Sequence, residues 1–470
     1  MLKNIMIYGF ESGPMVQVIR KLQEDKIFTV KRWIYRDNIC DGKLRSSPIA
    51  RSSTTFWRQE WQKLNEYPEI SINEKVTAQM DWIMQELARE TDFYREFFYE
   101  YKAIINHMVN EYYTELKNSN INVVLFADVP HNHIAALLYI VARAMNIDTI
   151  FTIPLHYTFP KKFIYSHTIE DYGVHSQLPD YHASVPEWHI KKSFKKELAY
   201  MTPKQIKQDR GEDWGQKLKF FRNPSLWIKD RKAVIKKNFA KYDSAGDFLE
   251  RKAVQFISRQ FRKYTYKKNL KLFAQKHVDM NRNFVYFPLH LQPEMTADTI
   301  GNIYRDQILV IEKIRNIIPN DWYVYVKENP KQLPIARDKY FFKRLTAIPN
   351  TILVDSSMDT YELLEKSRFV ATITGTAAWE SITGGKPALL FGNIWFKTFP
   401  GIIRYYEKMK LEEITNYSFS HSDLEKSVEF FTKKLCDGVW LATDINSIDD
   451  YDEEKNIIEL YNSFKFIFRQ

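Results

Sequence analysis

Four polar clusters in the second half of the chain each follow an apolar run of strand length. His290, Gln292 and Glu294 come after 284–288, and Lys327, Glu328 and Asn329 after 322–326. Ser356 and Ser357 come after 351–354, and Thr374, Gly375 and Thr376 after 369–373. In an open parallel sheet such strand ends lie on one edge and face one ligand crevice. At 374–376 small side chains expose the backbone N–H groups that open a helix, which makes a ready anion site. Glu380 follows Thr376 by about one helical turn, so both are expected to face the same cleft. The ordinary alternative is a strand, turn and helix with a surface Glu.

The first half offers general acid or base chemistry. Glu11 sits in the turn 9–14 after a first strand at 5–9, and that turn lacks the full glycine fingerprint of a dinucleotide site, so no nicotinamide or flavin is expected. Asp128, His131 and His133 fall between a strand at 122–127 and a helix at 134–145. An Asp and two His at such a place can supply a base near neutral pH or bind an acidic sugar. Asp128 or Asn132 acting simply as the helix cap is the plainer reading. No third nitrogen or sulfur ligand accompanies the His-x-His, so no metal is expected. His156, His167, His175, His182 and His189 lie in a loop-rich stretch and are candidates to line an acceptor groove.

The elements that must hold these residues emerge from apolar periodicity. Residues 1–45 read as strand, helix, strand, the opening of a doubly wound sheet, and 71–116 as a long helical stretch. A second α/β unit begins at 283, with a helix at 304–318, and Asp355-Ser356-Ser357 is expected to cap a helix at 359–366. Of the chain's 470 residues, 44% are hydrophobic and 15% aromatic, ample for two or three cores. Cys40 and Cys436 stand far apart, which suits a reducing compartment. The apolar start is too short for a signal peptide, and no apolar run approaches a membrane span.

The formal charge of +10 is regional. Residues 190–282 hold 26 Lys and Arg against 9 Asp and Glu, while the remainder holds 42 against 49. Basic amphipathic segments carrying Phe and Tyr suit an anionic membrane surface or packing between domains. No nucleic-acid motif accompanies them, so a nucleic-acid partner is not expected.

The layout implied is α/β and GT-B-like: two Rossmann-like domains facing a central cleft, with a helical basic insertion. The expected divisions are 1–189 (acceptor domain), 190–282 (basic insertion or linker), 283–440 (donor-nucleotide domain) and 441–470 (a helical segment returning to the first domain). Asp128-Val129-Pro130-His131, 288–294, Val326-Lys327-Glu328-Asn329-Pro330 and 374–380 with Gly385-Lys386-Pro387 together resemble the bacterial capsule and surface polysaccharide biosynthesis family that includes the Kdo transferases. The resemblance implies a metal-independent glycosyltransferase with no cofactor beyond its nucleotide-sugar co-substrate. Thr374, Gly375 and Thr376 would hold donor phosphate, Glu380 ribose or sugar hydroxyls, and the loop of His290, Gln292 and Glu294 would border the donor sugar. Lys327, Glu328 and Ser356 join them on the donor side. Relatives read Lys-Glu-His-Pro where this chain has Asn329, so a CMP-linked donor is less firmly implied than glycosyl transfer itself.

For the base the order is Asp128, Glu11, His131. The expected partners are a nucleotide-sugar donor, a lipid-linked or polymeric glycan acceptor, and an anionic membrane met peripherally through 190–282 in the cytoplasm. The alternatives are a nucleotide-sugar epimerase or polymer phosphotransferase on the same fold, and a non-catalytic polysaccharide-assembly scaffold.

Overall fold

Alternating residues of the strand Lys3–Tyr8 enter two different cores, Met6 and Tyr8 one, Ile5 and Ile7 the other. A strand covered on both faces reads as a continuous apolar run, and the parallel neighbours Val123–Phe126 and Phe28–Tyr35 divide in the same way. The structure is a computed structural model describing residues 2–35, 44, 47, 49–52, 70–89, 98–155, 158–185, 187–194, 245–333 and 337–470.

The first sheet has seven strands: β1 (Lys3–Tyr8), β2 (Phe28–Tyr35), β3 (Ala50–Ser52), β4 (Val123–Phe126), β5 (Asp148–Pro154), β6 (Lys162–Ser166) and, from far along the chain, β13 (Cys436–Asp437). The second has six: β7 (Phe284–Pro288), β8 (Tyr323–Lys327), β9 (Thr351–Val354), β10 (Phe369–Thr372), β11 (Ala388–Leu390) and β12 (Ile402–Arg404). Both share one order. The first runs β3-β2-β1-β4-β5-β6 before β13, and the second β9-β8-β7-β10-β11-β12. This is the 3-2-1-4-5-6 order of a Rossmann sheet, repeated. The second sheet is parallel throughout, while in the first β6 pairs antiparallel with both β5 and β13. Strand order reverses between β1 and β4 and between β7 and β10, and ligands of such sheets bind outside the strand ends at those reversals.

The halves share an apolar core. Trp379, Trp395, Phe396 and Phe399 of the second belong to one buried cluster with Phe159, Phe126 and Tyr139 of the first, and Phe159 meets Trp395 edge-on at 5.4 Å. After β13 the chain stays with the first sheet. Helix Glu453–Arg469 seats Phe464 against Phe10 at 5.3 Å and Phe468 against Phe28 at 4.7 Å.

Several expectations change. The helical stretch 71–116 is three helices, Ile70–Thr77, Met80–Arg89 and Phe98–Asn118. The loop-rich stretch carries strand β6, whose alternation is too short to stand out among its aromatics. Helix Thr360–Lys366 is capped by Asp359, whose carboxylate accepts from the N–H of Tyr361 and Glu362. Asp355 instead closes its own turn on Ser357, leaving Ser356 exposed. Helix Lys339–Ala347 was not anticipated.

Residues 195–244, most of the proposed insertion, lie outside the described residues, as do Cys40 and His156. The rest of the basic region is dominated by the helix Ala245–Phe273, whose end packs Phe273 on Phe342 at 5.9 Å, while Phe256 and Phe261 stay 64% and 69% exposed. Among the described residues, no helix is long and apolar enough to cross a membrane.

Candidate functional site

At the second reversal, β7 leads into Leu289-His290 and β10 into Ile373-Thr374. The backbone N–H of Thr374 donates to His290 Nε2 at 3.1 Å, and that of Gly375 to Thr372 Oγ1 at 3.1 Å. Burial, and then the charge of Arg337, push the His290 imidazole down to about 4, so the ring is neutral and fit to accept. Accepting at Nε2 fixes the proton on Nδ1. A Cβ on Gly375 would stand 2.6 Å from Thr372 Oγ1 and 3.2 Å from His290 Nε2, which explains the glycine.

These bonds bear on the anion site expected at 374–376. The Thr374 and Gly375 amides are occupied by the protein, and Thr374 Oγ1 donates to the Thr296 carbonyl at 2.6 Å. Helix Thr376–Thr383 starts one residue later with no side-chain cap, so its first N–H groups, those of Thr376 and Ala377, point along the helix axis toward the strand ends beside the exposed Thr376 side chain.

Glu380, 5% exposed, lies one turn along that helix, and its charge adds to the burial that raises the Tyr286 phenol. Tyr286 is hydrogen-bonded to Thr360, and Lys327 Nζ donates to Thr360 Oγ1 at 2.8 Å and to the Met358 carbonyl. Burial lowers the Lys327 ammonium, opposed by Asp359 and Asp355. Lys327 thus fixes the turn after β9, with one of its three donors left over. Neither Tyr286 nor Thr360 was marked by the sequence, since each sits in an apolar or helix-start context.

Gln292 and Glu328, expected to border the donor, are instead parts of a buried hub around Arg337. Its guanidinium donates to Glu328 Oε2 at 3.1 Å, Gln292 Oε1 at 2.9 Å and the His290 carbonyl at 3.0 Å, with its side chain fully buried. Gln292 also takes a bond from Gln307 and donates to Asp298. Their role is to hold the His290 loop still. Glu294 accepts from Thr296 Oγ1 at 2.7 Å, and Asn329 Oδ1 accepts from the Lys331 N–H at 2.9 Å, an Asx-type turn. No sequence signal marked Arg337, a lone Arg well beyond the strand-end motifs.

At the first reversal stand Glu11, 2% exposed, and Asp128, whose side chain is about a third exposed. Gly9, at φ +85°, brings the turn so close that its Cβ would lie 2.7 Å from that of Ala127. Asp128 Oδ1 accepts from the Val129 N–H at 2.7 Å, while Oδ2 is 4.0 Å from His131 Nδ1. His131 Nδ1 is committed to the Val129 carbonyl at 2.7 Å, so base chemistry by this ring would use Nε2. Asn132 caps the next helix, accepting from the Ala135 N–H at 3.0 Å.

Burial raises the phenol of Tyr172, opposed by its hydrogen bond to the backbone of Trp395, and Asp128 adds to the rise. Trp395 meets Trp379, next to Glu380, at 4.9 Å. The two strand-end regions are therefore joined through packed side chains. His175 binds the Trp395 carbonyl and burial pushes it down to about 4, whereas His182 lies 3.5 Å from Asp437 and His189 is exposed. The described histidines of the loop do not form one groove. Among the described residues, no group of three His, Cys, Asp or Glu is placed to hold a metal ion.

Residues 228–410 match the family model described as capsule polysaccharide biosynthesis protein. A search of curated proteins finds no match. Among solved structures, the chain is similar to Thermosulfurimonas dismutans KpsC, a beta Kdo 2,7 transferase, at 11% identity over 74% of this chain and 87% of that one, with a TM-score of 0.29. It is similar to the UDP-GlcNAc 2-epimerase of Neisseria meningitidis bound to UDP-GlcNAc at 11% identity over 92% and 94%, TM-score 0.20. Similarity to MurG of Acinetobacter baumannii is at 9% identity over 100% and 91%, TM-score 0.19.

Proposed function

We propose, from the match of residues 228–410 to the capsule polysaccharide biosynthesis family, that the chain is a glycosyltransferase moving a sugar from a nucleotide-sugar donor to a surface polysaccharide acceptor. The observation that carries this reading is the repeated 3-2-1-4-5-6 sheet with different chemistry at each reversal. The second supplies N–H donors, which suit a departing nucleotide phosphate, and the first supplies carboxylates, which suit deprotonation of an acceptor hydroxyl.

In this reading the amides of Thr376 and Ala377 hold the phosphate, and the remaining Lys327 donor adds positive charge. Glu380 accepts from donor hydroxyls. Gly375, Thr374 and His290 fix the turn, and Glu294, Asn329 and Ser356 border the donor. Asp128 is the base, with Glu11 behind it and His131 third. No metal or cofactor takes part. The acceptor is lipid-linked or polymeric, and the enzyme works at the cytoplasmic face of a membrane. The helix Ala245–Phe273, with exposed Phe256, Ile257 and Phe261 among Lys and Arg, supports a peripheral contact there.

The test is a thermal-shift panel of CMP, UDP, GDP, ADP and dTDP species, because a ligand of the folded state raises its melting temperature. One nucleotide should stabilise the protein, and Glu380→Ala should abolish that shift. An unchanged shift in Glu380→Ala sinks the site assignment. Conversion of a sugar nucleotide without acceptor would replace transfer by epimerisation, and transfer of sugar phosphate would replace it by phosphotransfer. Glycan binding without any nucleotide binding would make the chain an assembly scaffold.

A further inference from the structure

A cavity of about 280 Å³ lies where the two halves meet, and none of its lining residues belongs to either strand-end region. The first half contributes Lys75, Arg143, Glu170 and the walls Trp82 and Tyr139, and the second contributes Arg305. Among the lining side chains three are cations and one is a carboxylate. Arg143 is exposed at the end of helix His133–Ala144, and Lys75 donates to the Ala144 carbonyl at 3.2 Å.

Arg305 donates from Nε to the Asn302 carbonyl at 2.7 Å, while its Nη1 is buried without a hydrogen-bond partner. The acids near it already have donors of their own. Glu86 Oε1 accepts from Trp82 Nε1 and Thr299 Oγ1, and Asp298 accepts from Gln292 Nε2 and the Glu294 N–H. Asp81 is the third acid in its field. A buried guanidinium donor without an acceptor is costly, and Arg305 is one of the residues that line the cavity.

We propose that this cavity binds a phosphate monoester carried on a body of about sugar size. A phosphate monoester is an anion of about −1.5 to −2 at neutral pH, which suits the lining cations Lys75, Arg143 and Arg305, and arginine presents paired donors suited to its oxygens. Trp82 and Tyr139, packed edge to face at 6.0 Å, form an apolar wall for the carbon skeleton. The volume falls just below the roughly 300 Å³ at which ordinary small-molecule pockets begin, too small for a whole nucleotide sugar. The site shares no lining residue with those named for the donor crevice and does not depend on the reaction proposed there.

Calorimetric titration of the full chain with glucose 6-phosphate and with glucose tests it. The expected result is saturable one-to-one binding of glucose 6-phosphate, about tenfold or more tighter than glucose. Arg143→Ala and Arg305→Gln should each weaken it by about tenfold, with binding of the crevice nucleotide retained. Arg143 is exposed, so its variant keeps the test valid if the Arg305 variant does not fold. Absence of saturable binding to the wild type, or unaltered affinity in Arg143→Ala, overturns the site. So does displacement of glucose 6-phosphate by the crevice nucleotide. Displacement by dioctanoyl phosphatidate supports the site with a lipid as the source of the phosphate, and lack of displacement supports it with a soluble one.

Discussion

The two sheets share one strand order, yet their reversal points are built from opposite materials. Between β1 and β4 stand side-chain acids, Glu11 and Asp128, and Asp128 remains partly open to solvent. Between β7 and β10 the polar groups bond to one another: His290 accepts from Thr374, Thr372 accepts from Gly375, and Arg337 holds the His290 loop from behind. A base must keep an accessible lone pair, whereas a phosphate cradle must present backbone donors that do not reorganise. The difference teaches that one topology, used twice, can present side-chain acids at one edge and a rigid bonded turn at the other.

The sharpest way to separate the two edges is Asp128→Asn. Turnover should fall by about 10²- to 10⁴-fold while nucleotide affinity stays unchanged, read from initial rates and calorimetry on one preparation. A larger loss with Glu11→Gln than with Asp128→Asn would exchange their roles.

The rigid edge is broken by stability rather than by rate. Arg337→Met leaves Glu328 buried without its cation and should cost about 3 to 5 kcal/mol, measured by urea denaturation.

Acid should act on that edge and on the contact between the halves. His290 and His175 are both held at about 4 by burial, below the ordinary histidine value. Above about pH 6.5 both are neutral folded or unfolded, and their contribution is fully present. As pH falls from there toward 4, the unfolded chain takes up protons that the folded one refuses, so stability drops, by something on the order of 3 kcal/mol per imidazole, and levels off below 4. His290→Gln should remove its share of that slope, read from denaturation midpoints across the range.

Gly375→Ala inserts a methyl group against Thr372 and His290 and should weaken nucleotide binding by about a hundredfold, leaving Asp128 chemistry intact in whatever complex forms. The smallest effect is expected for Asn329→Ala, which removes one half-buried turn bond and should lower stability by about 1 kcal/mol or less in thermal melts.

Much of this was legible in the chain itself. Apolar runs ending in polar residues located β1, β4, β7, β8, β9 and β10 to within a residue or two, because parallel strands covered on both faces leave a continuous signal. The short β6 and β13 gave none, and pairing partners such as Cys436 and Phe163, far apart in the chain, have no local trace. Among site residues, His290, Thr374, Gly375 and Asp128 were marked by their place after a strand. Arg337, Tyr286, Thr360 and Tyr172 were not, since what gives them meaning is the neighbour each meets in space.

By itself, the sequence determined which residues would stand at the strand ends, since periodicity and breaking residues are local properties of the chain. Only the tertiary structure decided what those residues are free to do. It committed the Gln292 and Glu328 side chains to Arg337 and the Thr374 amide to His290, and it left the helix opening at Thr376 uncapped. The reason is that hydrogen bonds saturate: a polar group's chemistry is what remains after its buried partners have been satisfied, and those partners come from elsewhere in the chain.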